Sequence, residues 1–195
     1  MIFFRRPTDV WLHEQLAGGG PPFTRSDAIP DPAPRGFLRN AGSRLVGHGR
    51  ECFEEAARRV REWDFGPGDW CRFIADGPTR EGQPVGVLAR CLGLHVFNVC
   101  EVVGVREFDS ADWRSLCVSY ATRPGHDMAG AEAFRVAWDR TTDAVSVTIE
   151  SYSRPASLIG WLAAPYIRSV QRRFVAETLA ALEADLYRTP AVVAA

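Results

Sequence analysis

The sequence predicts an α+β domain in which a curved antiparallel sheet of about six to seven strands grips a long C-terminal helix. Ile167, Val170, Phe174, Val175, Thr178, Leu179, Leu182 and Leu186 recur at three- and four-residue spacing and make one apolar stripe. Upstream of that stripe, from Trp70 onward, the apolar period is two. The connectors between these alternating runs are short and polar, Asp76-Gly77-Pro78 and Thr141-Thr142-Asp143 among them, so the strands are expected to be antiparallel neighbours. No helix pattern alternates with them, which excludes a doubly wound parallel sheet.

Residues 7–16 suit a short helix capped by Thr8, with Val10, Trp11 and Leu12 as its packing residues. Gly18-Gly19-Gly20-Pro21-Pro22 breaks it, and Pro30, Pro32 and Pro34 make residues 27–36 an extended connector. Residues 1–36 hold too few apolar side chains for a core of their own and read as an arm. A first strand over 37–46 contains Gly42, and Gly47-His48-Gly49 turns the chain. Residues 50–63 form a helix with Phe53, Ala56, Ala57, Val60 and Trp63 on one face. Glu51, Glu54 and Glu55 lie early and Arg58, Arg59 and Arg61 late, which complements the helix dipole. Strands follow over 70–75, 83–91, 94–106, 113–121, 132–138 and 144–153. Pro165 fits a first helical turn, and Pro190 is placed to stop the final helix. The expected organisation is an arm (1–36), one domain (37–188) and a tail (189–195).

The net charge of −1 argues against nucleic acid as a partner. All 23 basic residues are arginine, interspersed with 24 acidic ones, a bias read as genomic composition and not as a phosphate-binding signal. Five cysteines show neither a CxxC pair nor zinc spacing, which points to a reducing cytoplasm. Met1 to Phe4 is too short for a signal segment, and no apolar run is long enough to span a membrane. Gly47-x-Gly49 lacks the third glycine or lysine of a phosphate loop, so no cofactor is expected. Nothing in the sequence sets an oligomeric state.

Tyr120-Ala121-Thr122-Arg123-Pro124-Gly125-His126 followed by Gly130-Ala131-Glu132-Ala133-Phe134 resembles a Y-G-T-x-P-G-H-x-x-x-G-E-E-x-F signature. Ser153-Arg154-Pro155 resembles an S-R-P downstream of it, and Pro165, Arg168 and Gln171 to Phe174 resemble a P-x-x-R-x-x-Q-x-R-Y ending. Gly47, Gly49, Phe53 and Ala56 match a G-x-G-x-x-x-F-x-x-A opening, and Gly82-Gln83, Cys100 and Val102-Val103 also fit. The pattern is that of the family called domain of unknown function nineteen-ninety. In layout it is similar to the START or Bet-v-1-like helix-grip superfamily, a resemblance that implies an apolar ligand held beneath the C-terminal helix. Ala121 stands where the signature has glycine, and Ala131 where it has the first of two glutamates. A role that needs two adjacent carboxylates is therefore not expected.

Tyr120, Thr122, His126 and Glu132 are the leading site residues. Tyr120 ends one strand and Glu132 begins the next, so the loop between brings them together. His126 could act as a general base, with Tyr120 or Glu132 as acid or donor. The competing view makes Pro124-Gly125 a type II turn whose amides Thr122 and Glu132 tie down. His126, Asp127 and Glu132 match no known zinc pattern, so no metal is expected. Asn98, Glu101 and Arg114 fall among apolar strand positions and either pair, face solvent or point into a cavity. Arg154 could read an anionic head group or fix the corner through Glu132 or Glu150. Tyr166, Trp161 and Trp138 could line a pocket or pack in the core.

The function expected is binding of a hydrophobic, lipid-like or aromatic small molecule between sheet and helix. Two alternatives stand beside it. One is a cyclase- or hydrolase-type enzyme using Tyr120, His126 and Glu132 in the same cavity. The other is a structural or interaction protein with a filled core. A void of several hundred cubic ångströms would favour the first two.

Overall fold

The computed structural model describes residues 1–187. Pro190 as a helix stop, the tail over 189–195 and the last residue of the 37–188 domain lie outside the described residues. Elements run β1 (Ile2–Phe3), α1 (Asp9–Leu16), β2 (Leu38–His48), α2 (Gly49–Glu62), a 3-10 turn (Gly68–Trp70), β3 (Cys71–Ile74), β4 (Pro84–Cys91) and β5 (Leu94–Asp109). They continue with β6 (Trp113–Thr122), β7 (Met128–Asp139), β8 (Ala144–Pro155), α3 (Leu158–Leu162) and α4 (Ala164–Tyr187). The sheet is antiparallel in the order β2-β8-β7-β6-β5-β4-β3, with β1 paired to β5. β3 to β8 form a meander, from which β2 departs by folding back beside the last strand and β1 by pairing with β5. This is the expected helix-grip architecture, with β1 and α3 as elements that the sequence patterns do not announce.

One face of the sheet turns towards both long helices. Leu116, Val118, Phe134, Val136, Val145, Val147 and Ile149 fill it together with Phe53, Ala56 and Val60 of α2. From α4, Phe174, Val175, Leu179, Leu182 and Leu186 join the same core, each contributing about 1.5–3 kcal/mol at most on burial. The seat of α4 on the edge strand depends on Gly42. A Cβ there would lie 2.6 Å from Val175 Cγ1 and 3.1 Å from Leu179 Cδ1. What looks in sequence like a weakness of β2 is the contact that lets the helix come close.

The inner core is aromatic at the end where α2 stops. Trp63 takes a left-handed conformation (φ 57°) as the helix cap, which turns its indole into Phe65, Phe73, Tyr120 and Phe134. A bulky residue is strained in that region, and the ring contacts are what hold it there.

Residues from the N-terminal 36 pack on the other face. Thr8 caps α1 as expected, but Leu16 joins Leu12 in the buried cluster with Phe97, while Val10 is exposed. Further on, Ile29, Ala33 and Phe37 pack on Val103, Ala121, Ala131 and Tyr152. Arg123 ties α1 to the β6–β7 loop by pairing with Glu101 at 2.7 Å and donating to the Gly18 carbonyl at 3.1 Å. The loop before β4 is held from inside by buried Gln83, whose amide donates to the carbonyls of Asp76 and Gly77.

Candidate functional site

The alternation that fills the inner face with Val118, Phe134 and Ile149 continues towards the other end of the same strands with polar residues. On β6, Val118 is followed at two-residue steps by Tyr120 and Thr122. Two steps back from Phe134 come Glu132 and then Gly130, and two steps on from Ile149 come Ser151 and Ser153. There the first turns of α4 lie above the sheet, with Ile167, Val170, Gln171 and Phe174 facing it, and a pocket of about 180 Å³ remains between. Trp70, Cys71, Val87, Ala89 and Met128 supply apolar wall, while Asn98, Thr122, His126, Glu132, Ser151 and Ser153 supply polar groups. Apolar surface therefore dominates, with a small convergent polar set, as in small-molecule sites generally.

Tyr120 and Glu132 are direct cross-strand partners on β6 and β7. The Tyr120 hydroxyl donates to Glu132 Oε2. Burial pushes the Glu132 carboxyl up to about 7, and the Tyr120 hydrogen bond only partly offsets this. The Tyr120 phenol is driven well above its usual value by burial and by the carboxylate beside it. Among the described residues no other hydrogen-bond donor reaches Glu132. Cys71 and Cys100 lie close enough to feel its charge, and burial pushes the Cys71 thiol up to about 12.

His126 follows a tight turn in which its N–H donates to the Arg123 carbonyl at 3.3 Å, with Pro124 second and Gly125 third at φ 91°. That is the type II arrangement. The ring Nδ1 accepts from the Met128 N–H at 3.0 Å, which leaves the proton of the neutral ring on Nε2. Burial holds its pKa down to about 4, against the opposing pull of Asp127. With its Nδ1 lone pair used by Met128, the neutral ring offers Nε2–H as a donor. Thr122 Oγ1 accepts from the Gly130 N–H at 3.1 Å, fixing the start of β7. Glu132 ties down no loop amide.

Asn98 lines the pocket, and its buried Oδ1 has no hydrogen-bond partner among the described residues. Of its two companions, Glu101 pairs with Arg123, while Arg114 lies over the Phe53 ring at 4.8 Å and bonds Glu54. Two residues expected at the ligand are placed elsewhere. Arg154 alternates with inward Ser153, so it points outward and lies over the Phe37 ring at 5.1 Å. Tyr166 is 38% exposed, beside Cys91, off the side of α4 that faces the pocket. Trp161 is 69% exposed, and Trp138 packs on Phe53 and donates to Asp143. The lining residues that spacing alone does not single out are Ser151, Ser153, Gln171, Trp70 and Cys71. Carrying the period-two register past Ile149 finds the first two.

The two departures from the signature also acquire positions. Ala121 and Ala131 both sit in the outer cluster with Val103 and Tyr152, on the opposite face from Tyr120 and Glu132. A second glutamate at 131 would point away from the pocket, so its loss leaves the inner carboxylate untouched.

A family model described as Domain of unknown function (DUF1990) matches residues 24–181. A UPF0548 protein of Dictyostelium discoideum is 25% identical over 199 residues, covering 91% of this chain and 92% of its own. Among solved structures, TTHA0849 from Thermus thermophilus superposes with a TM-score of 0.54 at 13% identity, over 77% of this chain and 97% of that one. The ZhuI aromatase/cyclase from Streptomyces sp. R1128 gives 0.53 at 14% identity, over 78% and 94%. At such identity these two likenesses are of fold.

Proposed function

The chain belongs to the DUF1990 family, and on that footing we propose that it binds a small hydrophobic or aromatic molecule in the pocket beneath α4. The observation that carries this reading is the buried Tyr120–Glu132 pair at the wall of an otherwise mostly apolar space. A buried carboxylate with one partner is costly, and a protein with no use for the space would gain by filling it.

Size refines the expectation. About 180 Å³ is close to the roughly 150 Å³ that holds one benzene and below the roughly 300 Å³ where drug-sized pockets begin. Trp63, Phe65 and Phe73 fill part of the interior beside it. The guest is therefore a single ring or a short chain, smaller than the lipid-like ligand that the architecture alone suggests. His126 Nε2–H, Asn98 and Thr122 orient it, and Glu132 is its anchor.

The Glu132 pKa of about 7 favours a second reading, an enzyme of cyclase or hydrolase type. In it Glu132 takes and returns a proton, while Tyr120 and His126 donate hydrogen bonds to developing charge. We further propose residues 1–36 as an arm closing the sheet's outer face around the 37–188 domain. Five free thiols support a reducing compartment such as the cytoplasm. Among the described residues no helix is long and apolar enough to cross a membrane, and the near-neutral charge supports no nucleic-acid role.

Native mass spectrometry of protein purified from its own host tests the proposal. A co-purifying adduct of one-ring mass, lost when Ala89→Phe fills the pocket, is the expected result. An adduct that survives Ala89→Phe would place the ligand elsewhere.

A further inference from the structure

The charges around the pocket are unevenly arranged. Glu132 is the carboxylate in the wall, and among the described residues no arginine lines it. The guanidinium groups packed nearby lie behind the lining and bond to protein groups. Arg168 of α4 donates to Ser153 Oγ at 2.7 Å and to Gln171 Oε1 at 2.9 Å. Arg173 lies over Trp70 at 4.5 Å and bonds Glu177 at 2.7 Å, and Arg123 pairs with Glu101 at 2.7 Å. His126 is held neutral by burial, with its Nδ1 accepting from the Met128 N–H. The two thiols near Glu132, Cys71 on β3 and Cys100 on β5, oppose a second negative charge and supply no positive one. On the loop, Asp127 beside His126 accepts from Ser157 at 2.7 Å and adds a further negative charge.

We propose that the pocket selects a small primary ammonium carried on a ring, with the Glu132 carboxylate as its counter-ion. This deepens the ligand-binding reading and rests on it. An ammonium supplies the donors that Glu132 lacks, and Asn98, whose amide oxygen has no partner among the described residues, offers a further acceptor. Trp70, Tyr120 and Phe174 line the same space, and aromatic rings attract a cation. An anionic guest would meet the Glu132 carboxylate in the wall, with Arg168 reaching the lining only through Ser153 and Gln171. A neutral guest leaves the carboxylate as it is, half protonated near pH 7. Because the ammonium pairs with the ionised form, its affinity rises with pH through the Glu132 titration, until the amine itself deprotonates.

Benzylamine, benzyl alcohol and benzoate fit the same volume and differ in charge. Isothermal titration of each into the full chain at pH 8 tests the assignment. Benzylamine should bind at least about tenfold more tightly than benzyl alcohol, and benzoate should give no heat of binding. Between pH 6 and pH 8 the benzylamine affinity should rise about tenfold while that of benzyl alcohol stays flat. Glu132→Gln should abolish the preference of amine over alcohol. Equal affinity for amine and alcohol, or a preference that survives Glu132→Gln, overturns the ammonium assignment and leaves the ligand pocket standing. Failure of all three to bind removes both.

Discussion

Tyr120 and Glu132 face each other across β6 and β7 in direct register, and the phenol donates its hydroxyl to a carboxylate that burial has pushed up to about 7. Directly opposed residues on one face of a sheet hold their Cβ atoms about 4.5–5.5 Å apart. The pairing is therefore a property of the sheet, independent of the loop that joins the two strands.

The raised pKa ties stability to pH. Between the ordinary value of 4.5 and about 7 the folded protein holds a proton at Glu132 that the unfolded chain has released. The stabilisation by the neutral form is complete below 4.5 and is lost as pH rises through about 7. Glu132→Gln, neutral at every pH, should be more stable than the wild type at pH 8, by about 3 kcal/mol at most, and equal to it near pH 4. Urea denaturation at both pH values reads the difference, and a constant gap between the two proteins would contradict it.

His126 works in the other direction. Its folded pKa of about 4 lies below the ordinary 6.5, so stability present above 6.5 is lost as pH falls towards 4. Between about 4.5 and 6.5 the two residues oppose each other, and the wild type should show a nearly flat profile there. His126→Asn keeps an acceptor for the Met128 N–H without titrating. It should match the wild type at pH 7 and exceed it at pH 5, by denaturation midpoints. Equal loss at both would assign the ring a packing role alone.

Tyr120→Phe leaves the carboxylate with no donor among the described residues. At pH 8 it should cost about 1.5–3 kcal/mol, the range for a hydrogen bond to a charged group, and clearly less at pH 5, where Glu132 is protonated. In the Glu132→Gln background the cost at pH 8 should fall to that of a neutral bond. A cost independent of pH and background would deny the coupling.

Gly42→Ala addresses the grip itself. The added methyl would meet Val175 and Leu179 of α4 well inside contact distance, so the helix must shift. A loss of about 1–3 kcal/mol is expected, with weaker protection of α4 amides in hydrogen exchange. Gly36, where an added Cβ meets nothing within 4 Å but φ is 83°, gives a comparison limited to backbone strain. Unchanged stability of Gly42→Ala would mean that α4 is not seated on β2 as described.

The strands, α2 and α4 are legible because each buries one face, and burial writes a period of two or 3.6 into the sequence. Where that condition fails, so does the signal. β1 is two residues long and exists only through pairing with β5. In α3, Leu158, Ile159, Trp161 and Leu162 are all exposed, so no buried stripe marks it. Motif spacing singles out Glu132 and Tyr120, although the alternation leading to Phe134 already places Glu132 inside. The same alternation puts Ser153 inside and Arg154 outside. The neutral state of His126 and its tautomer have no signal in the sequence, because the first depends on burial and the second on a backbone N–H two residues on.

The Glu132 side-chain carboxyl, followed by carbon NMR from pH 4 to pH 9 in the ligand-free protein, reports on the site most directly. A midpoint at about 7 is expected from a carboxylate buried beside the pocket with Tyr120 as its donor. A midpoint in the ordinary range near 4.5 would mean a solvated or charge-paired group, and would contradict the account of the site.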